Sequence, residues 1–175
     1  MAFQTIRVAR DEDIAMLDRV AAEMSARHED GYFQKCLQEQ AQGARTVFVV
    51  CQPEDNTRLA GYVQLNWNPL YPVFRRLGIP EIQDLNVVPQ ARRQGLGERL
   101  VQTCENEAIA RNKKQIGISV GLHPGFGQAQ RLYIRLGFVP DGYGVAYDEH
   151  TVTPGEMRSV DDFLAIKMLK TITTA

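Results

Sequence analysis

The sequence predicts a mixed α/β fold in a single domain spanning residues 1–175. Three observations lead there. Strand-like and helix-like patterns alternate along the chain. No repeat, low-complexity tract or linker divides it. Its 175 residues suffice for one substantial core, and 44% hydrophobic with 23% charged residues is the balance of a globular chain.

Thr5–Arg10 alternates apolar and polar residues and reads as a strand. A helix follows over residues 11–24: Ile14, Leu17, Val20 and Ala21 recur at helical spacing, and acids crowd the first turn, where the helix dipole favours them. Residues 32–43 read as a second helix, with Phe33, Cys36 and Leu37 on one side and Gly43 as its stop. Thr46–Cys51 and Leu59–Asn66 form a hairpin around a polar turn. The stretch PLYPVFRRLGIP, residues 69–80, then reads as an apolar loop suited to a ligand cleft or a subunit interface. Glu81–Val88 is a strand, and residues 95–112 are a helix with a stripe at Leu96, Leu100, Cys104 and Ala108. Gln115–Val120 is a strand. Residues 127–138 are a helix with Ala129, Leu132, Tyr133 and Leu136 on one face. Two further strands end the chain, giving the order β-α-α-β-β-β-α-β-α-β-β with about four helices.

Bulk chemistry excludes several classes. A formal net charge of −1 lacks the basic footprint of a nucleic-acid binder. No apolar run approaches the roughly 20 residues that span a bilayer, so no membrane partner is expected. Residues 1–14 lack the apolar centre of a signal peptide. Cys36, Cys51 and Cys104 are widely spaced, which predicts reduced thiols, no metal and a cytoplasmic protein.

The stretch PQARRQGLGERL, residues 89–100, carries Arg92, Gly95 and Gly97 between a strand and a helix. It lacks the lysine and hydroxyl residue of a Walker-type loop, and Leu100 stands where a dinucleotide fingerprint needs a third glycine. Helix N-termini present unpaired amides and a favourable dipole to anions, and glycines allow close approach. On local sequence alone, a phosphate cradle and a packed helix entry remain equally open.

The surroundings add a resemblance. Val87, Pro89, Arg92, Gly95 and Gly97 are similar to the acetyl-coenzyme A motif of the GNAT N-acetyltransferase superfamily. Ala129, Leu132, Tyr133, Gly137 and Phe138 resemble its second motif, and the element order matches over nearly the whole chain. The resemblance implies a mixed central sheet splayed between the fourth and fifth strands. It implies acetyl-CoA as co-substrate, its pyrophosphate on the backbone of Arg92, Arg93, Gln94, Gly95, Leu96 and Gly97. The pantetheine arm would lie against Val87 and Val88. It implies a small-molecule or peptide amine as acceptor, and it leaves a homodimer open. A non-catalytic acetyl-CoA sensor or interaction module on the same fold is the alternative.

Acetyl transfer to an amine needs an ammonium deprotonated, a thioester carbonyl polarised and a thiolate protonated. By the resemblance, Tyr133 is the acid at the coenzyme sulfur and Glu81, eleven residues before Arg92, is the base. Asp84 is the second candidate base; a bulge in its strand would decide which side chain reaches the cleft. His123 offers an imidazole after the fifth strand. Phe126 stands where many relatives carry an asparagine, which leaves the backbone of Gly125 or Gly127 to meet pantetheine. The acceptor surface would draw on residues 27–33, with Glu29 and Asp30. It would also draw on Trp67, Tyr71 and Phe74, and on Tyr143, Tyr147 and Asp148.

Overall fold

The computed structural model describes residues 5–24, 26 and 28–172. Arg27 of the expected acceptor surface and the first four residues of the chain lie outside that set. The described residues form eight strands and five α-helices, in two compact units that are each discontinuous in sequence: 1–67 with 83–104, and 68–82 with 105–175.

In the first unit β1 (Ile6–Val8), β2 (Arg45–Gln52) and β3 (Asp55–Asn66) pair antiparallel, with Arg7 opposite Val49 and Phe48 opposite Val63. The β2–β3 hairpin shifts register at Cys51 and Gln52, so β3 begins four residues earlier than the sequence predicts. Helices α1 (Ile14–Glu23) and α2 (Tyr32–Ala41) bury the predicted stripes. Leu17, Val20, Ala21, Phe33, Cys36 and Leu37 pack in one cluster with Val47, Val49 and Tyr62. A 3-10 turn at Asp11–Asp13 precedes α1, and Asp13 is fully enclosed there. The Arg7 guanidinium clamps it with bonds of 2.6 and 2.7 Å.

In the second unit β5 (Gln115–Gly121), β8 (Leu164–Thr171) and β6 (Val139–Tyr147) run antiparallel in that order, and a two-residue β7 (His150–Thr151) closes the edge. Strand β4 (Glu81–Val87) pairs parallel with β5 at Glu81 and Ile82. Its later residues, 83–87, belong to the first unit. The mixed sheet with reduced pairing between fourth and fifth strands is the architecture the sequence predicts. Helices α4 (Leu96–Ala110) and α5 (Gly127–Arg135) also fall where expected.

Residues 69–80 are not the continuous apolar loop that the sequence predicts. Residues 72–77 form a short helix, α3 (Pro72–Leu77), opened by proline at its first turn and closed at Gly78. Tyr71, Phe74 and Ile79 form a buried cluster, so most of the apolar bulk serves this unit's own core; Leu70 and Leu77 stay exposed. Gly117 on β5 makes room for it. A Cβ there would meet the Phe74 ring at 2.3 Å. Among the described residues no helix is long and apolar enough to cross a membrane.

Candidate active site

The loop between β4 and α4 has the form an anion cradle requires. After β4 a 3-10 turn at Pro89–Ala91 leads to Arg93 at φ 61 and Gly95 at φ 77, both left-handed. Glycine takes that conformation without strain, and a Cβ at 95 would touch nothing within 4 Å, so the dihedral rather than space calls for glycine. Arg92, Arg93, Gln94 and Gly95 are exposed, Leu96 is buried and anchors the helix, and Gly97 is half-buried. The Arg92 Nε donates to the Val87 carbonyl at 2.9 Å, and the Gln94 amide donates to the Gln90 carbonyl at 3.1 Å. The loop therefore braces itself through side chains and turns the 15-residue α4 so that its N-terminus begins beside the exposed Gly95.

At the strand end the Val87 carbonyl accepts from Arg92 and the Val88 carbonyl accepts from the Ala91 amide at 3.0 Å. The Val88 amide already donates to the Ala60 carbonyl at 3.0 Å, so a pantetheine arm must be met by other groups here. Gly61 permits this approach of β3 to β4: a Cβ would meet the Asn86 carbonyl at 2.6 Å.

Within the second unit, Tyr133 is 6% exposed, and its ring lies 6.1 Å from that of Phe138. Burial alone pushes its phenol up to about 12, so the hydroxyl keeps its proton at neutral pH. The resemblance offers Glu81 as the base, and Glu81 is wholly enclosed and accepts from Lys167 Nζ at 2.8 Å. Lys167 also donates to Glu149 at 2.6 Å and lies 5.1 Å from the Tyr71 ring centroid. A carboxylate that already faces a buried ammonium has its charge compensated by the protein. The Tyr71 hydroxyl donates to Asp141 at 2.7 Å, and burial, then that bond, push its phenol well above the ordinary range.

His123 is tied as well. Its Nε2 lies 2.7 Å from Asp162 and its Nδ1 accepts from the Gly125 amide at 3.1 Å. Phe126 lies edge-on to His123 and covers Gly121, where a Cβ would meet its ring at 2.3 Å. Of the expected acceptor walls, Tyr71 and Phe74 are core residues, and the Trp67 indole donates to Thr46 at 3.0 Å. Tyr143 is exposed, and Tyr147 donates to Asp161 at 2.9 Å.

Asp84 stands at φ 55 in mid-strand, a left-handed conformation unusual for a residue with a side chain. Its Oδ2 accepts from Gln64 at 2.9 Å and its Oδ1 from Asn86 at 2.9 Å. Those amides also reach phenols: Gln64 donates to Tyr32 at 3.0 Å and Asn86 to Tyr62 at 2.9 Å. Burial, then the Asp84 charge, push both phenols far up, so both stay neutral. His28, which no sequence signal singled out, brings Nε2 to 3.1 Å from Asp84 Oδ2. Only the fold joins residues 28 and 84; a lone loop histidine carries no spacing signature.

A cavity of about 870 Å³ in the first unit is lined by Arg7, Asp13, Arg19, Cys51, Gln52 and Thr57, among others, and by none of the residues named above for acetyl transfer. Its Arg7 and Asp13 neutralise one another at 2.6 Å.

Comparison with known proteins agrees with this architecture. A GNAT-family chain from Desulfovibrio desulfuricans superposes with a TM-score of 0.71 at 14% identity, covering 98% of this chain and 100% of its own. Ard1 from Thermoplasma volcanium gives 0.69 at 17% identity, with 98% and 99% covered. A spermidine N-acetyltransferase from Vibrio cholerae, solved with CoA and spermine, gives 0.68 at 17%, with 97% and 95% covered. At these identities the likeness is one of fold. No curated protein sequence matches. Residues 13–138 match the acetyltransferase (GNAT) family, so the chain belongs to the GNAT acetyltransferase family.

Proposed function

We propose that the protein is an N-acetyltransferase that moves an acetyl group from acetyl-CoA to a primary amine by direct attack. The observation that carries this reading is the exposed, self-braced loop of Arg92–Gly95 that leads into Leu96 and Gly97 at the start of α4, with left-handed Arg93 and Gly95. It presents helix-end amides and two arginines to an anion of the size of a diphosphate. The Val87 and Val88 carbonyls at the end of β4 each keep a second lone pair for a pantetheine arm.

Tyr133 suits the acid. A phenol held protonated by burial donates to a leaving thiolate without bringing a charge of its own into the site. Glu81 is a poorer base than its position promised, because Lys167 already compensates it. None of the three cysteines stands in either family motif, which favours direct transfer over an acyl-enzyme.

The test is acetyl-CoA-dependent thiol release across an amine library, paired with thermal unfolding in the presence of acetyl-CoA. Stabilisation together with thiol release on a defined amine class is the expected result. Stabilisation without turnover on any amine identifies a sensor on the same fold, and no stabilisation removes both readings.

A further inference from the structure

We propose that His28 and Asp84 are the amine-handling pair of this enzyme: Asp84 receives a primary ammonium, and His28 Nε2 takes a proton from it. This rests on the acetyl-transfer reading above, and names for it a base and the group that receives the amine. All of the groups involved lie within the first unit.

Four observations converge. Asp84 is a non-glycine residue held left-handed in mid-strand, a strained conformation that persists only where the surroundings impose it. The surroundings here are two carboxamides, one on each carboxylate oxygen, which orient the group without neutralising it. Arg45, the nearby cation, reaches this carboxylate through Gln64, while its own Nε is held by Glu39 at 2.8 Å. The imidazole plane is fixed independently. His28 stacks on Tyr32 at 3.9 Å with the rings 1° apart, and meets Phe33 edge-on at 5.4 Å.

The fourth observation points to the ligand. Nε2 is shielded from solvent and has no hydrogen-bond partner among the described residues, although Asp84 Oδ2 lies only 3.1 Å away. The oxygen is in ion-pairing range but off the line of a ring N–H. A shielded nitrogen and a carboxylate oxygen therefore sit side by side with no donor shared between them, which is costly unless something supplies one. A primary ammonium does so. It has three N–H groups, enough for Nε2 and Oδ2 together, and its charge opposes that of Asp84. An anion would be repelled, and a quaternary ammonium has no proton to give. The side chains are 18% and 15% exposed, so the pair lies close to the surface.

The step balances. An N–H proton passes from the ammonium to Nε2, and Asp84 stabilises the imidazolium. The freed lone pair attacks the thioester carbonyl carbon, so a C–N bond forms and the C–S bond breaks. The departing thiolate gains a proton as the nitrogen loses its second, and His28 returns its proton to water.

The experiment follows the ring protons of His28 by NMR in the full chain, without acetyl-CoA. The chain has only three histidines, so comparison with His28→Gln identifies the signal. n-Butylammonium should move the His28 signal and leave His123 and His150 in place. Tetramethylammonium should not move it, and Asp84→Asn should abolish the response. Equal responses to both cations, or none to either, overturn the pair as an ammonium site, and this holds in the wild type whether or not the variants fold. With the best amine from the library, His28→Gln should lower kcat by about 100-fold while the KM for acetyl-CoA stays put. An unchanged kcat overturns the base assignment. Failure of the acetyl-transfer reading shows separately, as a missing thermal response to acetyl-CoA.

Discussion

A tyrosine with a burial-raised pKa and a glutamate with an ammonium partner call for opposite experimental signatures. For Tyr133, removing the hydroxyl leaves the ring packed near Phe138, so Tyr133→Phe should fold normally and bind acetyl-CoA as before. Its kcat should fall by about 100-fold if the phenol protonates the thiolate; a kcat equal to wild type takes Tyr133 out of the chemistry. For Glu81 the expectation is structural. Lys167→Met removes the ammonium that faces the buried Glu81 carboxylate, which should cost about 3–5 kcal/mol in urea unfolding. Glu81→Gln keeps Lys167 paired with Glu149, should cost less, and should reduce activity only as far as it reduces the folded fraction. Loss of kcat in a fully folded Glu81→Gln protein would return the base role to Glu81. The sequence put an acid at a suggestive spacing, but its partner lies 86 residues away, beyond any local pattern. The same limit hid His28, whose relation to Asp84 exists only after α2 and β4 are in place.

Helices whose residues repeat a period over two turns or more were legible; the shorter one was not. The stripes of α1, α2 and α4 announced themselves because each buries one continuous face. The six-residue α3 has too few turns for a period, and its two flanking prolines mimic a loop. Strand β7 has two residues and no pattern at all. What α3 does is visible only from its neighbour. The Phe74 ring fills the space that Gly117 leaves on β5, so that glycine is needed for room and not for its dihedral. Gly117→Ala should therefore destabilise by about 1–3 kcal/mol, the usual cost of overpacking a filled core. Phe74→Leu in the same chain should recover part of the loss, because the smaller side chain vacates the contact. Strictly additive penalties in urea unfolding would mean that the two residues do not share this space.

For the molecule as a whole, buried titrating groups set the pH range of stability. Burial would raise the Asp13 carboxyl, but the Arg7 side chain and the Arg10 amide outweigh it, so it lies below its ordinary 3.8. A depressed acid contributes stability above its unfolded value, and that contribution is lost as pH falls below about 4. Four phenols act at the other end. Tyr32 and Tyr62 in the first unit, and Tyr71 and Tyr133 in the second, are all raised above 10.0, chiefly by burial. A raised phenol contributes stability in full below its unfolded value, and loses it as pH rises through the folded one. These groups therefore predict a plateau between about pH 4 and 10, with loss on either side. Tyr133 isolates the alkaline limb, since burial is the sole cause of its rise from 10.0 to about 12. That rise corresponds to about 2–3 kcal/mol, which the wild type forfeits between about pH 10 and 12. Tyr133→Phe has no proton to lose there. Its Tm should gain on that of the wild type across this window, while the gap between the two proteins stays constant from about pH 6 to 9. Parallel curves up to about pH 12 would show that the Tyr133 hydroxyl is not buried as the fold places it.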